Sequence, residues 1–193
     1  MCTNMKTKGD IMQAEQLGLG IFTVDRFLDE AECLHYIDMG EQMGYQPSEV
    51  NLRTGSVRRE DIRNNDRVIF DDPCLAELLF ARAAPLLPAT IGEWRLHGLN
   101  ERCRFYRYGP GEYFKWHKDG SFEKSPDEVS MLTFLIYLNA GFEGGDTQFR
   151  WKTVPPREGM LLVFPHNQSH QGAEISSGTK YVLRSDVMYQ RRS

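Results

Sequence analysis

The sequence predicts an α+β protein in which N-terminal helices support an antiparallel β-sandwich or jelly roll. Both helix-start signals lie before residue 99, and no helical periodicity follows Asn100. From there on, short segments rich in aromatic and β-branched residues alternate with Gly, Pro, Asn and Asp turns, which is the pattern of strands. Several short strands at such spacing are typical of sandwiches and jelly rolls.

Each predicted helix in the front part begins with a capping pattern. An acidic cap followed three residues later by Glu, or followed at once by Pro, satisfies the free N–H groups of a first turn. The predicted front elements are a strand over Ile21 to Val24, a helix from the Asp29 cap and Glu32 to Gly44, and a helix from the Asp72 cap and Pro73 to the segment Pro85 to Pro88.

The back part supplies the strands of the predicted jelly roll. They are Arg102 to Tyr108, Tyr113 to His117, Met131 to Leu138, Thr147 to Trp151, Met160 to Phe164 and Lys180 to Tyr189. We expect a flexible tail over residues 1–16 and a single domain over 17–193. Within that domain we expect a helical front over 17–99 and a jelly-roll core over 100–190.

Composition limits the classes of function. The chain has 193 residues, 40% of them hydrophobic and 26% charged, and a net charge of -4. That charge argues against a partner held through its phosphates, so no nucleic-acid partner is expected. The sequence contains no run of about 18 apolar residues, so no membrane span is predicted. The four cysteines are scattered without a Cys-x-x-Cys pair, which favours a reducing, cytoplasmic location. The sequence predicts no oligomeric state.

The segment Gln46 to Asp66 is polar and rich in arginine. It contains Arg53, Arg58, Arg59 and Arg63 among Asn and Gly residues. One interpretation is a solvated surface loop. The other is a flap over a site, whose arginines and Asn64-Asn65 contact a substrate, because loops of this length in compact domains are often functional.

Two histidines and one carboxylate are candidates for a metal centre. His117 and Asp119 are two residues apart, so on an extended chain both can face the interior. His170 follows an apolar strand and is preferred as a ligand over His166, for which a supporting role is expected. Two histidines and a carboxylate can occupy one face of an octahedral Fe(II) ion and leave three positions open. A surface pairing of His117 with Asp119 is the alternative.

Lys180 and Arg184 lie four residues apart in the last predicted strand and therefore share one face of it. Buried cations need anionic partners, and a bound dicarboxylate would supply them. The alternative is that this face is solvated while Tyr181 and Leu183 pack inward. Periodicity does not decide between the two faces.

Four pieces occur in a fixed order along the back part. They are Arg107 to Asp119, Gly144 to Thr147, Gly159 to Phe164, and His170 with Lys180 ten residues on. This order resembles the prolyl 4-hydroxylase-like iron(II)/2-oxoglutarate oxygenases over roughly residues 100 to 190. The resemblance implies a double-stranded β-helix, another name for the jelly roll, with His117, Asp119 and His170 as catalytic iron ligands.

The resemblance also implies a cosubstrate site. Lys180 matches the residue that binds the distal carboxylate of 2-oxoglutarate. Tyr108 matches a tyrosine that contacts the same molecule, and Thr133 matches a further contact. Arg184 has no counterpart there, so three roles stay open for it: neutralising the cosubstrate, replacing Lys180, or binding an acidic substrate. Asp186 stands where the family often has tryptophan, which leaves the substrate open.

The implied activity is an Fe(II)- and 2-oxoglutarate-dependent dioxygenase that hydroxylates a C–H bond, with O2 as partner and ascorbate as a candidate reductant. The expected substrate is a prolyl or other residue of a protein. A free amino acid or small metabolite is the first alternative. A jelly-roll metal-binding or sensing module without turnover is the second, although such a module would not need Lys180.

Overall fold

The computed structural model describes residues 12–48, 50–52, 55–57, 59 and 61–191. Two α-helices lie in its front part, α1 (Glu30–Met43) and α2 (Pro73–Ala83), and a short 3-10 helix, Ala84–Leu86, follows α2. The predicted caps are confirmed: Asp29 and Glu32 form a capping box on α1, and Gly44 is its C-cap. Asp72 accepts a hydrogen bond from the backbone N–H of Leu75 at the start of α2.

Strands make up most of the remaining chain. In chain order they are β1 (Ala14–Gly18), β2 (Ile21–Val24), β3 (Gln46–Pro47), β4 (Val50–Leu52), β5 (Gly55–Val57), β6 (Asp66–Asp71), β7 (Thr90–Ile91), β8 (Trp94–Leu99), β9 (Arg102–Tyr108), β10 (Phe114–His117), β11 (Glu123–Ser125), β12 (Glu128–Tyr137), β13 (Glu143–Gly144), β14 (Thr147–Phe149), β15 (Lys152–Val154), β16 (Leu161–Pro165), β17 (His170–Gly172), β18 (Ile175–Ser177) and β19 (Lys180–Arg191).

The larger sheet runs in the order β1-β2-β16-β12-β19-β9-β6-β3, and β8 also pairs with β19. Its central strand is β19, which pairs along one edge with β12 and along the other with β9 and then β8, always antiparallel. The smaller sheet runs β10-β17-β14-β15. Two antiparallel sheets with this connectivity form the predicted double-stranded β-helix, or jelly roll, and confirm the fold class.

Two buried clusters hold these layers together. The first, which includes Phe27, Cys33, Leu79, Phe134 and Leu183, packs α1 and α2 against the larger sheet. The second cluster lies between the two sheets, where side chains from both of them meet; its members include Tyr106, Tyr137, Phe149, Phe164 and Val182. Because the larger sheet is covered on both faces, its central strands are buried on both sides, and β16 is almost wholly apolar.

The strands predicted in the back part all occur, and β9 has the predicted bounds. Strands of the front part, such as β2, β6 and β8, join the same sheet as the back part, so the front is not helical alone. The predicted tail over residues 1–16 overlaps strand β1 from Ala14 onward. Residues 1–11 lie outside the described residues.

The segment Gln46 to Asp66 is described in part, and its Arg53 and Arg58 lie outside the described residues. Its last residues dock beside β10: Arg63 forms a bridge with Phe114. The backbone N–H of Lys115 donates to the carbonyl of Ile62, 2.9 Å away. The Asn64 side chain accepts from the backbone N–H of Tyr113 and donates to the carbonyl of Gly111. This end of the segment is therefore packed against the strand that ends at His117.

Neither α-helix in the described part of the chain is long and apolar enough to span a membrane. Among the described cysteines, Cys33 and Cys103 are free and buried, whereas Cys74 is disulfide-bonded.

Candidate active site

The three ligand-type residues singled out in the sequence meet at one end of the smaller sheet. His117 ends β10 and His170 begins β17, and the two strands pair so that these histidines lie directly opposite each other. Asp119 follows β10 by two residues. Potential ligand atoms of the three side chains all lie within 4.8 Å of one another. A strand pairing thus brings together residues that are far apart in sequence.

Both imidazoles are oriented by backbone carbonyls. Nδ1 of His117 lies 2.7 Å from the carbonyl of Lys115, and Nδ1 of His170 lies 3.0 Å from the carbonyl of Gln168. A carbonyl only accepts, so each Nδ1 carries the proton and each Nε2 keeps a free lone pair. These Nε2 atoms lie 3.6 and 3.7 Å from the carboxylate oxygens of Asp119. Two neutral nitrogen donors and one carboxylate converging in this way fit a divalent iron ion.

The charge states also suit a metal site. Burial lowers the pKa of His170 to about 4, although Asp119 partly offsets this, so the ring is neutral at neutral pH. Burial alone would raise the pKa of Asp119, but the positive charge of Arg184 holds it well below its usual value. Metal ligands must be deprotonated, and His170 and Asp119 are already in that state.

A second set of polar side chains fixes the Asp119 carboxylate from behind. The Thr133 hydroxyl donates to Asp119 Oδ2 at 2.5 Å and lies 3.0 Å from Nδ1 of His166. The other ring nitrogen of His166 lies 3.0 Å from the Ser130 hydroxyl. His166 is thus buried behind the cluster rather than in it, in the supporting position expected from the sequence. Thr133 lines the cavity, but its hydroxyl is engaged by Asp119 and His166.

The cluster lines a cavity of the protein. Its walls come from both sheets. The lining residues are Tyr106, Tyr108, Phe114, His117, Asp119, Thr133, Leu135, Thr147, Phe164, His170, Gly172, Lys180, Val182 and Arg184. All seven site residues predicted from the sequence are therefore brought together around one space.

Lys180 is almost completely buried in this cavity. Its ammonium group donates to the carbonyl of Gly145 and lies 5.6 and 5.1 Å from the ring centroids of Tyr108 and Tyr137. Burial lowers the pKa of Lys180 to about 7, and the charge of Asp146 opposes this only in part. A cation in these surroundings is ready to accept an anionic ligand.

Arg184 also faces the cavity, but it is held by two carboxylates. Its Nη1 lies 3.0 Å from Asp119 Oδ1, and its Nη2 lies 3.2 Å from Asp186 Oδ1. Arg104 contacts the other oxygen of Asp186, at 3.2 Å. The Nε atom of Arg184 is buried without a hydrogen-bond partner. Lys180, Val182 and Arg184 on β19 thus line the cavity, while Leu183 is buried on the helix-covered side.

Two further side chains lie beside this cavity: sequence reasoning did not name Tyr106, and it named Arg63 only as one of several arginines of the polar segment. Tyr106 lines the cavity, and the positive charges of Arg184, Arg63 and Arg104 lower its pKa against the raising effect of burial. Arg63 is buried with its guanidinium 4.2 Å from the Phe114 ring centroid. Tyr106 alternates with Tyr108 on β9, which was a usable signal, whereas no local pattern distinguishes Arg63 from its neighbouring arginines.

Comparison with known proteins agrees with the metal site indicated by this geometry. A family model described as the 2OG-Fe(II) oxygenase superfamily matches residues 103–185, a stretch that contains the three ligand-type residues and Lys180. Among curated proteins, no sequence matches significantly.

Solved structures share the fold at low sequence identity. The chain is similar to a collagen prolyl hydroxylase from Paramecium bursaria Chlorella virus-1, with TM-score 0.63, 20% identity and coverage of 90% of this chain and 97% of that one. It is similar to a prolyl-4-hydroxylase from Pseudomonas putida, with TM-score 0.61, 20% identity and coverage of 90% and 94%. It is also similar to a prolyl hydroxylase from Trichoplax adhaerens in complex with a peptide fragment of hypoxia inducible factor. That comparison has a TM-score of 0.65 and 19% identity, and it covers 88% of this chain and 83% of that one.

Proposed function

Since the chain belongs to the 2OG-Fe(II) oxygenase superfamily through residues 103–185, we propose that it hydroxylates a C–H bond at the cavity between its two sheets. The enzyme is a 2-oxoglutarate-dependent dioxygenase, and its cofactors are Fe(II) and 2-oxoglutarate. Bound together, they supply the O2-dependent oxidation, in which 2-oxoglutarate, O2 and R–H become succinate, CO2 and R–OH. The protein supplies binding, orientation and exclusion of water.

His117, Asp119 and His170 would hold the iron in this proposal. Their convergence within 4.8 Å is the observation that carries it. Both imidazoles are fixed by carbonyls in the tautomer that leaves Nε2 free, and Thr133 orients the carboxylate. A ligand set that is positioned in advance loses less conformational entropy when it binds the metal.

Lys180 would bind the distal carboxylate of 2-oxoglutarate, with Tyr108 beside it. Lys180 has no carboxylate partner within hydrogen-bonding distance in the described part of the chain, whereas both terminal nitrogens of Arg184 are already engaged by carboxylates. This difference favours Lys180 over Arg184 as the main partner of the cosubstrate. Arg184 and Thr133 then serve to position Asp119.

The substrate is either a residue of a protein or a small molecule. The Trichoplax adhaerens relative holds a peptide, which favours a prolyl or other residue. A free amino acid or small metabolite is the second candidate, and the buried side chain of Arg63 favours it. A metal-binding module without turnover is disfavoured, because a stable metal site alone does not require a buried lysine in the cavity wall.

The proposed activity is tested by succinate release. Purified protein with Fe(II), ascorbate, 2-oxoglutarate and O2 should form succinate slowly without a substrate, because such enzymes consume cosubstrate in an uncoupled side reaction. His117→Ala should abolish this release, since it removes one proposed ligand. His35→Ala, which changes an exposed histidine on α1, should behave like the unaltered protein. Equal rates for all three proteins would refute the assignment.

A further inference from the structure

Arg63 is a buried cation with no anionic partner among the residues that the structure describes. Only 5% of it is exposed. Its Nε donates to the Asn65 side chain at 2.9 Å, and its Nη2 is buried without a hydrogen-bond partner. The nearby acids Asp61 and Asp66 are paired instead with Arg59 and Arg107.

Leaving a guanidinium in this state is unfavourable. A buried charge is tolerated when it is paired and hydrogen-bonded, and Arg63 has a neutral amide, the Tyr108 hydroxyl and aromatic faces instead. Its guanidinium lies 4.9 Å from the ring centroid of Tyr106 and 4.2 Å from that of Phe114. Such cation–π contacts recover part of the lost hydration, but they leave the charge and the free Nη2 donor unmatched.

The position of Arg63 links it to the proposed reaction centre. Phe114 is stacked between Arg63 and His117, with its ring centroid 3.5 Å from that of His117. Tyr106 and Phe114 both line the cavity, so the guanidinium lies just behind its wall. A second unmatched donor, Nε of Arg184, belongs to a side chain that lines the same cavity.

We propose that Arg63 binds a carboxylate group of the substrate, so that the enzyme hydroxylates a carboxylate-bearing compound. This inference rests on the proposed function and names its substrate class. The carboxylate would bind at Arg63, which the Phe114 ring separates from His117, while a C–H bond of the same molecule reaches the iron site. Lys180 binds the distal carboxylate of 2-oxoglutarate at its own position, so Arg63 serves a different anion.

The test uses the Fe(II)-loaded enzyme with 2-oxoglutarate and measures how added compounds stimulate succinate release. The probes are the free L-amino acids, the same compounds as C-terminal amides, simple dicarboxylates, and prolyl, aspartyl and glutamyl peptides with free or amidated C-termini. Binding of each stimulating compound is also measured by calorimetry without O2. The variants are Arg63→Met and Arg63→Lys, and the matched control is Arg59→Met, at an exposed arginine of the same segment.

We expect stimulation by at least one carboxylate and none by its amide. Arg63→Met should weaken calorimetric binding of that compound at least about thirtyfold, the usual effect of removing one partner of a buried charge pair. Arg63→Lys should weaken it less, because the charge is kept and the planar donor group is lost. Arg59→Met should bind normally. If free acids stimulate succinate release, the carboxylate belongs to a small molecule. If acidic peptides do so, it belongs to a peptide or protein.

Four results would overturn the inference. Stimulation by uncharged prolyl peptides alone, or by no compound of the panel, would do so. So would equal affinity of Arg63→Met and unaltered protein for the stimulating acid. A loss of affinity for 2-oxoglutarate in Arg63→Met as large as in Lys180→Met would assign Arg63 to the cosubstrate instead. Absence of succinate from the unaltered protein, by contrast, refutes the proposed function itself.

Discussion

Lys180 carries a charge that its surroundings support poorly. Its ammonium contacts the Gly145 carbonyl and two tyrosine rings, and Asp146 acts on it only from a distance. Burial therefore lowers its pKa to about 7 from the ordinary value of 10.5. A protein keeps such a costly group when a ligand completes it.

This shift predicts a pH dependence of stability. Between about pH 7 and 10.5 the unfolded chain binds the lysine proton and the folded chain does not, so the free energy of unfolding from this group rises with pH across that window. From pH 7 to 9 the rise is at most about 2.7 kcal/mol. Lys180→Met should remove it, as measured by urea unfolding of the metal-free protein at both pH values.

Other groups titrate over the same range, so the control is the exposed Lys152→Met. That variant should keep the pH dependence of the unaltered protein. If Lys180→Met and the unaltered protein show the same slope, Lys180 is not the buried, uncompensated cation that its contacts indicate.

At the scale of elements, the turn before β14 restricts the position of the Lys180 side chain. Gly145 has a φ of +70°, and a Cβ there would lie 2.3 Å from Cδ1 of Ile175 and 3.2 Å from Cδ of Lys180. Gly145→Ala should therefore displace the lysine and raise the KM for 2-oxoglutarate by about tenfold or more, consistent with the cost of a small misplacement of a binding group. Succinate release at varied 2-oxoglutarate measures this.

Gly92→Ala separates crowding from backbone strain. Gly92 also has a positive φ, of +59°, but nothing lies within 4 Å of a Cβ placed there. We expect this variant to lose stability, since alanine is strained at positive φ, and to keep its KM. Equal KM changes in both variants would contradict the proposed contact between this turn and the cosubstrate.

The two helices are joined by a buried ion pair. Both carboxylate oxygens of Glu32 on α1 accept from Arg82 on α2, at 2.6 and 2.8 Å, and Arg82 also donates to the carbonyl of Phe27. Glu32 additionally closes the α1 capping box. Its removal leaves an uncompensated buried guanidinium, so Glu32→Ala should cost about 3–5 kcal/mol of stability.

Urea unfolding checks this prediction, with Glu30→Ala as control. Glu30 lies in the same first turn and is exposed, so its loss should change stability by about 0.5 kcal/mol or less. Because the pair lies on the helix side of the larger sheet, succinate release per folded molecule should be unchanged in both variants. A comparable loss of stability in Glu30→Ala would mean that the effect comes from the negative charge in the first turn of α1 and not from the Glu32–Arg82 ion pair.

At the scale of the whole molecule, the proposed iron site joins the two sheets. His117 and His170 belong to the smaller sheet, whereas Thr133 and Arg184, which contact Asp119, belong to the larger one. A metal held by this cluster binds the folded state alone and should raise the melting temperature by mass action. With Mn(II) as a redox-stable substitute at about 100 times its Kd, we expect a gain of about 2.7 kcal/mol.

That gain corresponds to a shift of about 5–10 °C for a chain of this size. His170→Ala should show no Mn(II)-dependent shift, and His35→Ala should keep the full shift. A shift of equal size in His170→Ala would mean that Mn(II) binds elsewhere and would remove His170 from the ligand set.

The sequence by itself determined the α+β class, the helix caps, most strand positions and the seven candidate site residues. These follow from local signals, such as the Asp29–Glu32 spacing, or from motifs whose order along the chain is specific. It did not determine which face of β19 meets the cavity, because both faces are buried and a two-residue period then distinguishes neither.

Only the tertiary structure decided that Lys180 and Arg184 face the same cavity, that Arg184 is held by Asp119 and Asp186, and that Arg63 lies behind Phe114. The physical reason is that each of these relations depends on contacts between distant segments. Arg63 and Arg59 belong to the same polar segment, yet one is buried without an anion and the other is exposed with one. Local sequence carries no information on that difference; packing against β10 does.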